Sequence, residues 1–574
     1  MALGVLEASS GHVPGTSHVY DDSSRPLPIE ESRSRLKYDR SGPVPTILVP
    51  QPSDDPNDPL NWPLWKRDAI LVILSITSVI ASTLSPLLAA NTLTLSLVFQ
   101  RSFTQMALLT GYHLCGVGVA GLVFVASARV WGKRHLYLLG TILIIVSSAW
   151  GGASGTNYKS LLWARIIQGV GLAPFEALVN ASVGDLFFVH VRPHVHMLSR
   201  RDEADASQER GKRMALSNLA LFGGAFFTPV LVGKITHTIG WSWTFYLIAI
   251  FSGVMLPFVI LFCPETAYPR ASALNTDIAG EQGMALHEIS TQPKGVSDDR
   301  ASPNSDPASF DQISNKTRSS VKTPYVRTLL PFNGRKTDYS FWKLLVRPFP
   351  LYLQPAIFWA TLIQGTMIGW TVMIGVVLAA IFLGPPLWFD EVQTGYLYTG
   401  PFIGALLGFV TSGLLADWSA KWMTKRNKGI YEPEFRILLV LPQLVFGCAG
   451  LYGFGITGAN VARYGWFWPD FFFALVVMGM VLGTVASALY IVDAHRDIAV
   501  EAFTCMIVFK NMFSFGLTFA AYDWLKGGGV SRIFCILASV QLVICLLSIP
   551  MYILGKRNRA FFHKHNLLRR LHIW

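Results

Sequence analysis

Twelve apolar runs, each long enough to cross a lipid bilayer, lie in this chain as six and six around a polar segment of about eighty residues. Lipid offers backbone amides no hydrogen-bond partner, so a chain that crosses it repeatedly does so as helices of roughly twenty mostly apolar residues. The composition agrees, because 51% of the residues are hydrophobic and only 14% are charged, against about 25% charged in soluble domains. The sequence therefore predicts an all-α membrane protein with twelve transmembrane helices in two six-helix bundles.

We number the predicted helices as spans 1 to 12, and span 7 is long enough for a break near Gly365 to Gly369. They lie near 69–90, 105–126, 135–153, 160–182, 213–235, 241–262, 352–383, 393–416, 435–456, 468–491, 500–521 and 531–554. Lys and Arg cluster before span 1, after span 2, before span 5, between spans 8 and 9 and after span 12. By the positive-inside rule both termini are cytoplasmic. We expect the plasma membrane, with a vacuolar or other internal membrane as the alternative.

Polar stretches divide the chain into five predicted parts. These are a disordered cytoplasmic tail at 1–66, an N-terminal bundle at 67–264, a disordered cytoplasmic linker at 265–346, a C-terminal bundle at 347–555 and a basic cytoplasmic tail at 556–574. The linker is polar and shows no helical or strand period. The six cysteines are scattered singly without CxxC spacing, so neither a metal site nor a cofactor is expected. The net charge of +12 lies in alternate loops rather than on one face, which argues against nucleic-acid binding.

A polar insertion, residues 191–208 with the sequence VRPHVHMLSRRDEADASQ, separates spans 4 and 5. It begins with Val, whose codons start with GT, and ends with Gln, which CAG encodes. Its eighteen residues correspond to 54 nucleotides, the size of a short intron. We interpret it as a retained intron in the gene model; the alternative is a true flexible loop, since loops tolerate insertions. Sequencing the transcript decides between the two.

Span 4 carries polar residues on one stripe. A charged side chain in a spanning helix costs about 2.5 to 3.5 kcal/mol on insertion scales, so its presence indicates a pathway for a solute or an ion. Arg165, Gly169, Leu172, Glu176 and Asn180 fall within about 80° of one another at roughly 100° per residue. Arg165 and Glu176 are about 16 Å apart along the axis, too far to pair directly, so each needs its own partner. We predict that Glu176 is the proton or cation carboxylate; the alternative is that both residues only fix helix packing.

A second stripe follows span 11, with Lys510, Asn511, Ser514 and Thr518 on one face. Lys510 lies near the middle of the span, where its ammonium cannot easily reach water. It is a candidate to compete with a cationic solute for a carboxylate or to bind an anionic solute. A structural ion pair is the alternative.

Other polar residues are individually weaker candidates. His113 in span 2 could relay protons, since imidazole titrates near neutral pH, although a lone His in an apolar helix is more often a satisfied core group. Candidate cavity-lining residues from spans 1, 7 and 8 are Asn91, Gln364, Trp370 and Tyr396.

An internal repeat accompanies the six-plus-six layout. Shifting the chain by 288 residues places Gly116 on Gly404 and Ala120 on Gly408. Spans 2 and 8 then lead into equivalent cytoplasmic loops. Parallel repeats of six spans are a transporter design, with the solute site near the midplane between the halves.

Several short motifs resemble those of the major facilitator superfamily, over roughly residues 54 to 560. Span 4 carries R-x-x-Q-G-x-G, the second-half loop carries G-x-L-x-D, the first-half loop keeps a Gly-Lys-Arg end, and span 5 carries a Gly/Pro motif similar to that of proton antiporters. The motif residues are Arg165, Gln168, Gly169, Gly171, Gly413, Leu415, Asp417, Gly132, Lys133, Arg134, Gly224, Pro229 and Gly233. The chain departs from the pattern at Arg129, where the acid of the first-half charge latch belongs. In span 5, Thr228 and Val232 replace glycines.

Three longer passages resemble the fungal twelve-span branch of drug:proton antiporters, near the polyamine and histidinol permease-like group. They run over 58–63 (DPLNWP), 240–243 (GWSW) and 263–266 (CPET). The resemblance implies proton-coupled alternating access that moves a small organic solute, cationic or amphiphilic, with efflux of a drug or secondary metabolite as the leading function. Alternatives are proton-driven uptake of polyamine-like or histidinol-like cations, and a nutrient sensor that does not transport. We expect a monomer with a solute, protons and lipid as its partners, and no enzymatic activity.

Overall fold

The structure, a computed structural model, describes residues 3–7, 13, 15–18, 38–39, 46–47, 52–187, 209–269, 322–428, 430–565, 567–571 and 573. The suspected insertion at 191–208 and most of the central linker lie outside these residues. In the first half the helices are Leu64–Ser82, Thr92–Phe99, Phe103–Trp131, Arg134–Gly152, Tyr158–Ala177, Val179–Leu186, Glu209–Ile239 and Trp241–Phe262.

The second half begins with short helices and then spans the membrane again. Its helices are Tyr325–Thr328, Phe341–Val346, Pro348–Leu351, Pro355–Phe382, Glu391–Tyr396, Thr399–Arg426, Val440–Pro442, Cys448–Ala459, Val461–Tyr464, Phe467–Ala494, Ala499–Leu546, Ser548–Lys564 and Leu567–Arg570. Segments of 3-10 helix lie at Pro59–Asn61, Pro433–Leu439 and Arg496–Ile498, and a π-helical turn lies at Gln443–Gly447. Two-residue strands pair antiparallel, Ser17–His18 with Ile430–Tyr431 and Tyr38–Asp39 with Thr46–Ile47.

Ten helical stretches among the described residues are long and apolar enough to cross a membrane. Leu64–Ser82 is not one of them, because Lys66, Arg67 and Asp68 add three charges to its first turns. Spans 11 and 12 form one continuous stretch whose helix is broken at Gly529, with φ of 69°. Counting Leu64–Ser82 as span 1 and dividing the last stretch at Gly529 recovers the twelve predicted spans, and the predicted fold class is confirmed.

Span 7 does not break where the sequence suggested. Pro355–Phe382 is one helix, and Gly365 and Gly369 instead receive the rings of Phe509 and Phe513 from span 11. The predicted break near Gly365 to Gly369 was therefore wrong; the glycines serve a close helix contact.

Each half has its own apolar core, and the halves meet along two seams, one between spans 2 and 11 and the other between spans 5 and 8. The predicted repeat is visible in the packing. Gly116 in span 2 lies against the Ile166 carbonyl of span 4, and Gly404 in span 8 lies against the Ala474 carbonyl of span 10. The two glycines matched by the 288-residue shift thus hold equivalent positions in their halves.

Described parts of the predicted tail and linker contact the bundle. The Leu6 amide donates to the Ile553 carbonyl at 2.9 Å, and the Tyr552 hydroxyl donates to the Leu3 carbonyl at 2.9 Å. Residues 322–346 run across the ends of spans 6, 3 and 2. Disorder stays a prediction for the rest of 1–66 and 265–346.

Candidate functional site

A cavity of about 180 Å³ lies between the two halves, bounded by residues from spans 1, 2, 4, 5, 7, 8, 10 and 11 and from the loop after span 1. Most of the lining is apolar, including Leu172, Phe222, Phe226, Phe473 and Met480. The polar lining residues are Ser82, Ser85, Thr92, Thr110, Glu176, Thr371, Tyr398, Lys510, Asn511 and Ser514. Glu176 is the one acidic side chain among these described lining residues.

Glu176 and Lys510 form an ion pair in the cavity wall, between the Lys510 Nζ and the Glu176 Oε1. Their side chains are 10% and 11% exposed, respectively. The pair joins span 4 of the first half to span 11 of the second. The two polar stripes that the sequence placed on separate helices therefore meet at one point.

Close helix packing places Lys510 in this wall. Gly118 in span 2 leaves room for span 11, since an added Cβ would lie 3.2 Å from the Asn511 Cβ. From the other side, a Cβ at Gly365 of span 7 would lie 3.6 Å from the Lys510 Cα. The backbone at Lys510 is thus held between spans 2 and 7, with its side chain turned toward span 4.

Arg165 lies behind the cavity wall and is fully buried. Its Nη1 donates to the Leu84 carbonyl at 2.8 Å and to the Gln168 Oε1 at 2.9 Å. Gln168 in turn donates from Nε2 to the Ser148 hydroxyl at 3.2 Å. The guanidinium therefore ties span 4 to the loop after span 1, while its Nε and Nη2 have no hydrogen-bond partner among the described residues.

His113 connects this buried group to the cavity. Its Nδ1 lies 3.3 Å from the Arg165 carbonyl oxygen, and its Nε2 lies 3.3 Å from the Ser85 hydroxyl. A carbonyl oxygen only accepts, so Nδ1 carries the proton, and in a neutral imidazole Nε2 accepts from Ser85. Because Ser85 lines the cavity, His113 is one hydrogen bond away from it.

Three other predicted residues serve contacts away from the cavity lining. The Asn180 amide donates from Nδ2 to the Asn218 Oδ1 at 2.7 Å and joins spans 4 and 5. Trp370 donates from Nε1 to the Gln541 Oε1 at 3.1 Å. The Asn91 amide reaches the Thr236 hydroxyl at 3.3 Å.

Tyr396 is 52% exposed and does not line the cavity, whereas Tyr398, 3% exposed, does. The exposure of residues on the same helix faces agrees with this difference. Seven residues after Tyr396 comes the exposed Ile403, and seven after Tyr398 comes the fully buried Ala405. Residues seven apart share a helix face, so Tyr396 belongs to the lipid-facing stripe. Gln364 is half-buried and is likewise not a lining residue.

The Gly-Lys-Arg motif meets the Cys-Pro-Glu-Thr passage at the end of the bundle near the termini. The Glu265 carboxylate accepts from the backbone amides of Lys133 at 3.0 Å and Arg134 at 3.1 Å. The Lys133 Nζ lies 2.6 Å from the Asp185 Oδ2 at the end of span 4. The second half repeats this last contact, with the Arg436 Nε 3.0 Å from the Asp493 Oδ2 at the end of span 10.

The remaining motif glycines differ in their surroundings. In span 5, Gly224 packs on Val79 and Ser82 of span 1, and Gly233 packs on the backbone of Glu391 in span 8. Pro229 presents its carbonyl to Gly395, and Gly171 packs on span 3 at Gly140 and Ile144. In span 8, Gly413 faces open space among the described residues.

Comparison with known proteins agrees with this architecture. The family model described as "Major Facilitator Superfamily" matches residues 70–521. The chain is 25% identical to Protein HOL1 of Saccharomyces cerevisiae, covering 96% of both chains, and 23% identical to the MFS transporter cpaT of Aspergillus oryzae, covering 88% of this chain and 90% of cpaT.

Among solved structures, the xylose transporter XylE from E. coli, in a partially occluded inward-open conformation, matches with a TM-score of 0.52 and 11% identity. The match covers 85% of this chain and 97% of XylE. At this identity the likeness concerns the fold alone. Family match, fungal relatives and fold together lead to one conclusion: the chain belongs to the Major Facilitator Superfamily and is a membrane transporter of the fungal type.

Proposed function

We propose that this protein exports a small organic cation of amphiphilic character, a drug or secondary metabolite, in exchange for protons. The observation that carries the proposal is the Glu176–Lys510 pair, which joins the two halves inside the central cavity. Alternating access requires the halves to separate on one side at a time. A group that links them and can lose its charge is suited to couple protons to that motion.

The coupling follows from the energetics of a buried ion pair. Removing the charge of one partner leaves the other uncompensated in a poorly solvated site, which costs about 3 to 5 kcal/mol in buried pairs. Protonation of Glu176 would therefore free Lys510 and weaken the contact between spans 4 and 11. A cationic solute acts on the same carboxylate by taking the place of Lys510. Proton and solute thus compete for one site, as exchange requires.

The lining favours an amphiphilic solute. Phe222, Phe226, Phe473 and Tyr398 contribute rings around one carboxylate. Aromatic faces attract organic cations, and apolar surface favours the uncharged part of the solute. Polyamine uptake, the second candidate, has weaker support, because a polyamine carries several charges and Glu176 is the one acid among the described lining residues.

The remaining features of the proposal follow from the sequence. The basic clusters favour cytoplasmic termini, and we propose the plasma membrane as the location. One chain encloses the cavity, so a monomer suffices for transport.

Flux measurements in proteoliposomes with an imposed pH gradient test the function. Tetraphenylphosphonium serves as the amphiphilic cation and spermidine as the polyamine. We expect proton-driven flux of tetraphenylphosphonium with the wild type and with Asp523→Asn, an exposed carboxylate outside the cavity, and none with Glu176→Gln. Equal flux in Glu176→Gln would remove Glu176 from this role. Absence of flux for both probes would favour a sensor that does not transport.

A further inference from the structure

Residues 322–346, here called the linker strap, cross the end of the first bundle on the side of the chain termini. The Tyr325 hydroxyl donates to the Leu261 carbonyl of span 6 at 2.6 Å. Farther along, Arg134 of span 3 donates to the Leu329 carbonyl at 3.0 Å, and the Lys336 amide donates to the Val130 carbonyl of span 2 at 2.7 Å. The strap therefore passes spans 6, 3 and 2 in turn.

One side of the strap is anchored by apolar contacts. The Phe332 ring stacks on His135 with 4.7 Å between centroids, and Phe341 lies 5.7 Å from Trp131. Leu344 is 4% exposed and packs with Ala126 and Val130. These contacts hold the strap against the ends of the spans.

The other side of the strap leaves large apolar side chains uncovered. These are Tyr325 at 58%, Val326 at 76%, Leu330 at 51% and Trp342 at 71%. Soluble surfaces rarely expose so many neighbouring apolar groups. The adjoining ends of spans 6 and 2 are exposed as well, through Phe262 and Trp131. The apolar side of the strap thus continues the lipid-facing surface of the bundle.

The strap is also basic. Lys322, Arg327, Arg335 and Lys343 are exposed, whereas Asp338 is the single acid between residues 322 and 346. Aromatic rings beside cations on a segment that lies along a bilayer are typical of interfacial anchors, in which the rings enter the headgroup region and the cations meet lipid phosphates. Polybasic segments next to spans bind anionic lipid.

We propose that the linker strap binds anionic lipid headgroups of the leaflet on the side of the termini. Its exposed rings and aliphatic side chains enter the boundary between headgroups and acyl chains. Lys322, Arg327 and Lys343 contact the phosphates and carboxylates of the lipids. Because the strap leads directly into Arg347, which pairs with Glu501 of span 11 at 3.4 Å, bound lipid fixes the point where the linker enters the second half.

Hydrogen–deuterium exchange of the full-length protein in nanodiscs tests the proposal. The discs contain phosphatidylcholine alone or phosphatidylcholine mixed with phosphatidylserine. We expect peptides from 322–346 to exchange several-fold more slowly in the anionic discs, and the difference to shrink at high salt because ions screen exposed charges. Equal exchange in both lipids would overturn the proposal and would favour a protein partner for this surface.

Two matched triple variants distinguish lipid binding by the strap from a general effect of removing positive charge. Lys322→Gln, Arg327→Gln and Lys343→Gln combined should abolish the lipid dependence, whereas Lys159→Gln, Lys526→Gln and Arg532→Gln, exposed cations at the opposite ends of the spans, should keep it. As a second readout, brominated phosphatidylserine should quench wild-type fluorescence more than that of Trp342→Phe. Identical responses of the two triple variants, or identical quenching, would contradict the assignment.

Discussion

Arg129, in the last turn of span 2, forms an ion pair with Glu501, in the first turn of span 11. The pair joins the two halves at the end near the termini. Family resemblance expects an acid at the position of Arg129, and here the acid stands on the other half. Glu501 is favoured in the first turn because helix N-termini carry partial positive charge. The link between the halves is therefore present with its charges reversed.

A double-mutant cycle of Arg129→Gln and Glu501→Gln measures this link. We expect each single change to lower the melting temperature in detergent, and the double variant to lose less than the sum. The coupling free energy should be about 0.5 to 3 kcal/mol, the range for residues in contact. Arg426→Gln combined with Glu501→Gln is the control, since Arg426 stacks on Trp422 instead. Strict additivity in the Arg129–Glu501 cycle would show that the pair carries no energy.

Hydropathy predicted the twelve spans and which charged residues lie within them, because the free energy of insertion acts on each helix separately. The pairing of Glu176 with Lys510 was not predictable in the same way. It depends on how the two halves pack against each other, which hydropathy does not determine. For the strap, the polar average predicted disorder and hid the aromatic residues Tyr325, Phe332 and Trp342. Structure was needed to show that these residues lie at the ends of spans.

The Glu176–Lys510 pair makes a separable prediction about stability. Lys510→Met leaves a carboxylate without its partner in a mostly apolar cavity, so we expect the free energy of unfolding to fall by about 3 to 5 kcal/mol. The double variant Glu176→Gln with Lys510→Met removes both charges and should unfold near the wild-type temperature while transporting no probe. Thermal unfolding of the wild type, the Lys510→Met variant and the double variant in one detergent checks this. A double variant as unstable as the single one would show that the charges do not interact.

Two motif glycines should respond to alanine in opposite directions. Gly169 lies so close to the His113 carbonyl that a methyl group would push spans 2 and 4 apart, and overpacking of this kind costs about 1 to 3 kcal/mol. Gly413 has no described neighbour within 4 Å of an added Cβ, and Gly→Ala in an open helix position gains up to about 1 kcal/mol. Melting temperatures of Gly169→Ala and Gly413→Ala should therefore fall and rise, respectively. A fall for Gly413→Ala would indicate a contact that the described residues do not show.

Stability should fall in mildly acidic solution because of His495, which lies between spans 10 and 11. Burial, followed by the positive charge of Arg559, lowers the pKa of His495 from 6.5 to about 4, and its Nε2 has no hydrogen-bond partner among the described residues. Below the unfolded-state pKa, the unfolded chain binds a proton that the folded chain excludes, so stability present at neutral pH is lost as the pH falls.

Between pH 7 and about 5.5 this loss should reach about 1 kcal/mol, a range in which most carboxylates keep their charge. Thermal unfolding at both pH values measures it in the wild type. His495→Gln is the control, since glutamine cannot take up the proton, and its melting temperature should vary less over the same range. A wild type and a His495→Gln variant with parallel pH profiles would show that His495 is not the group responsible.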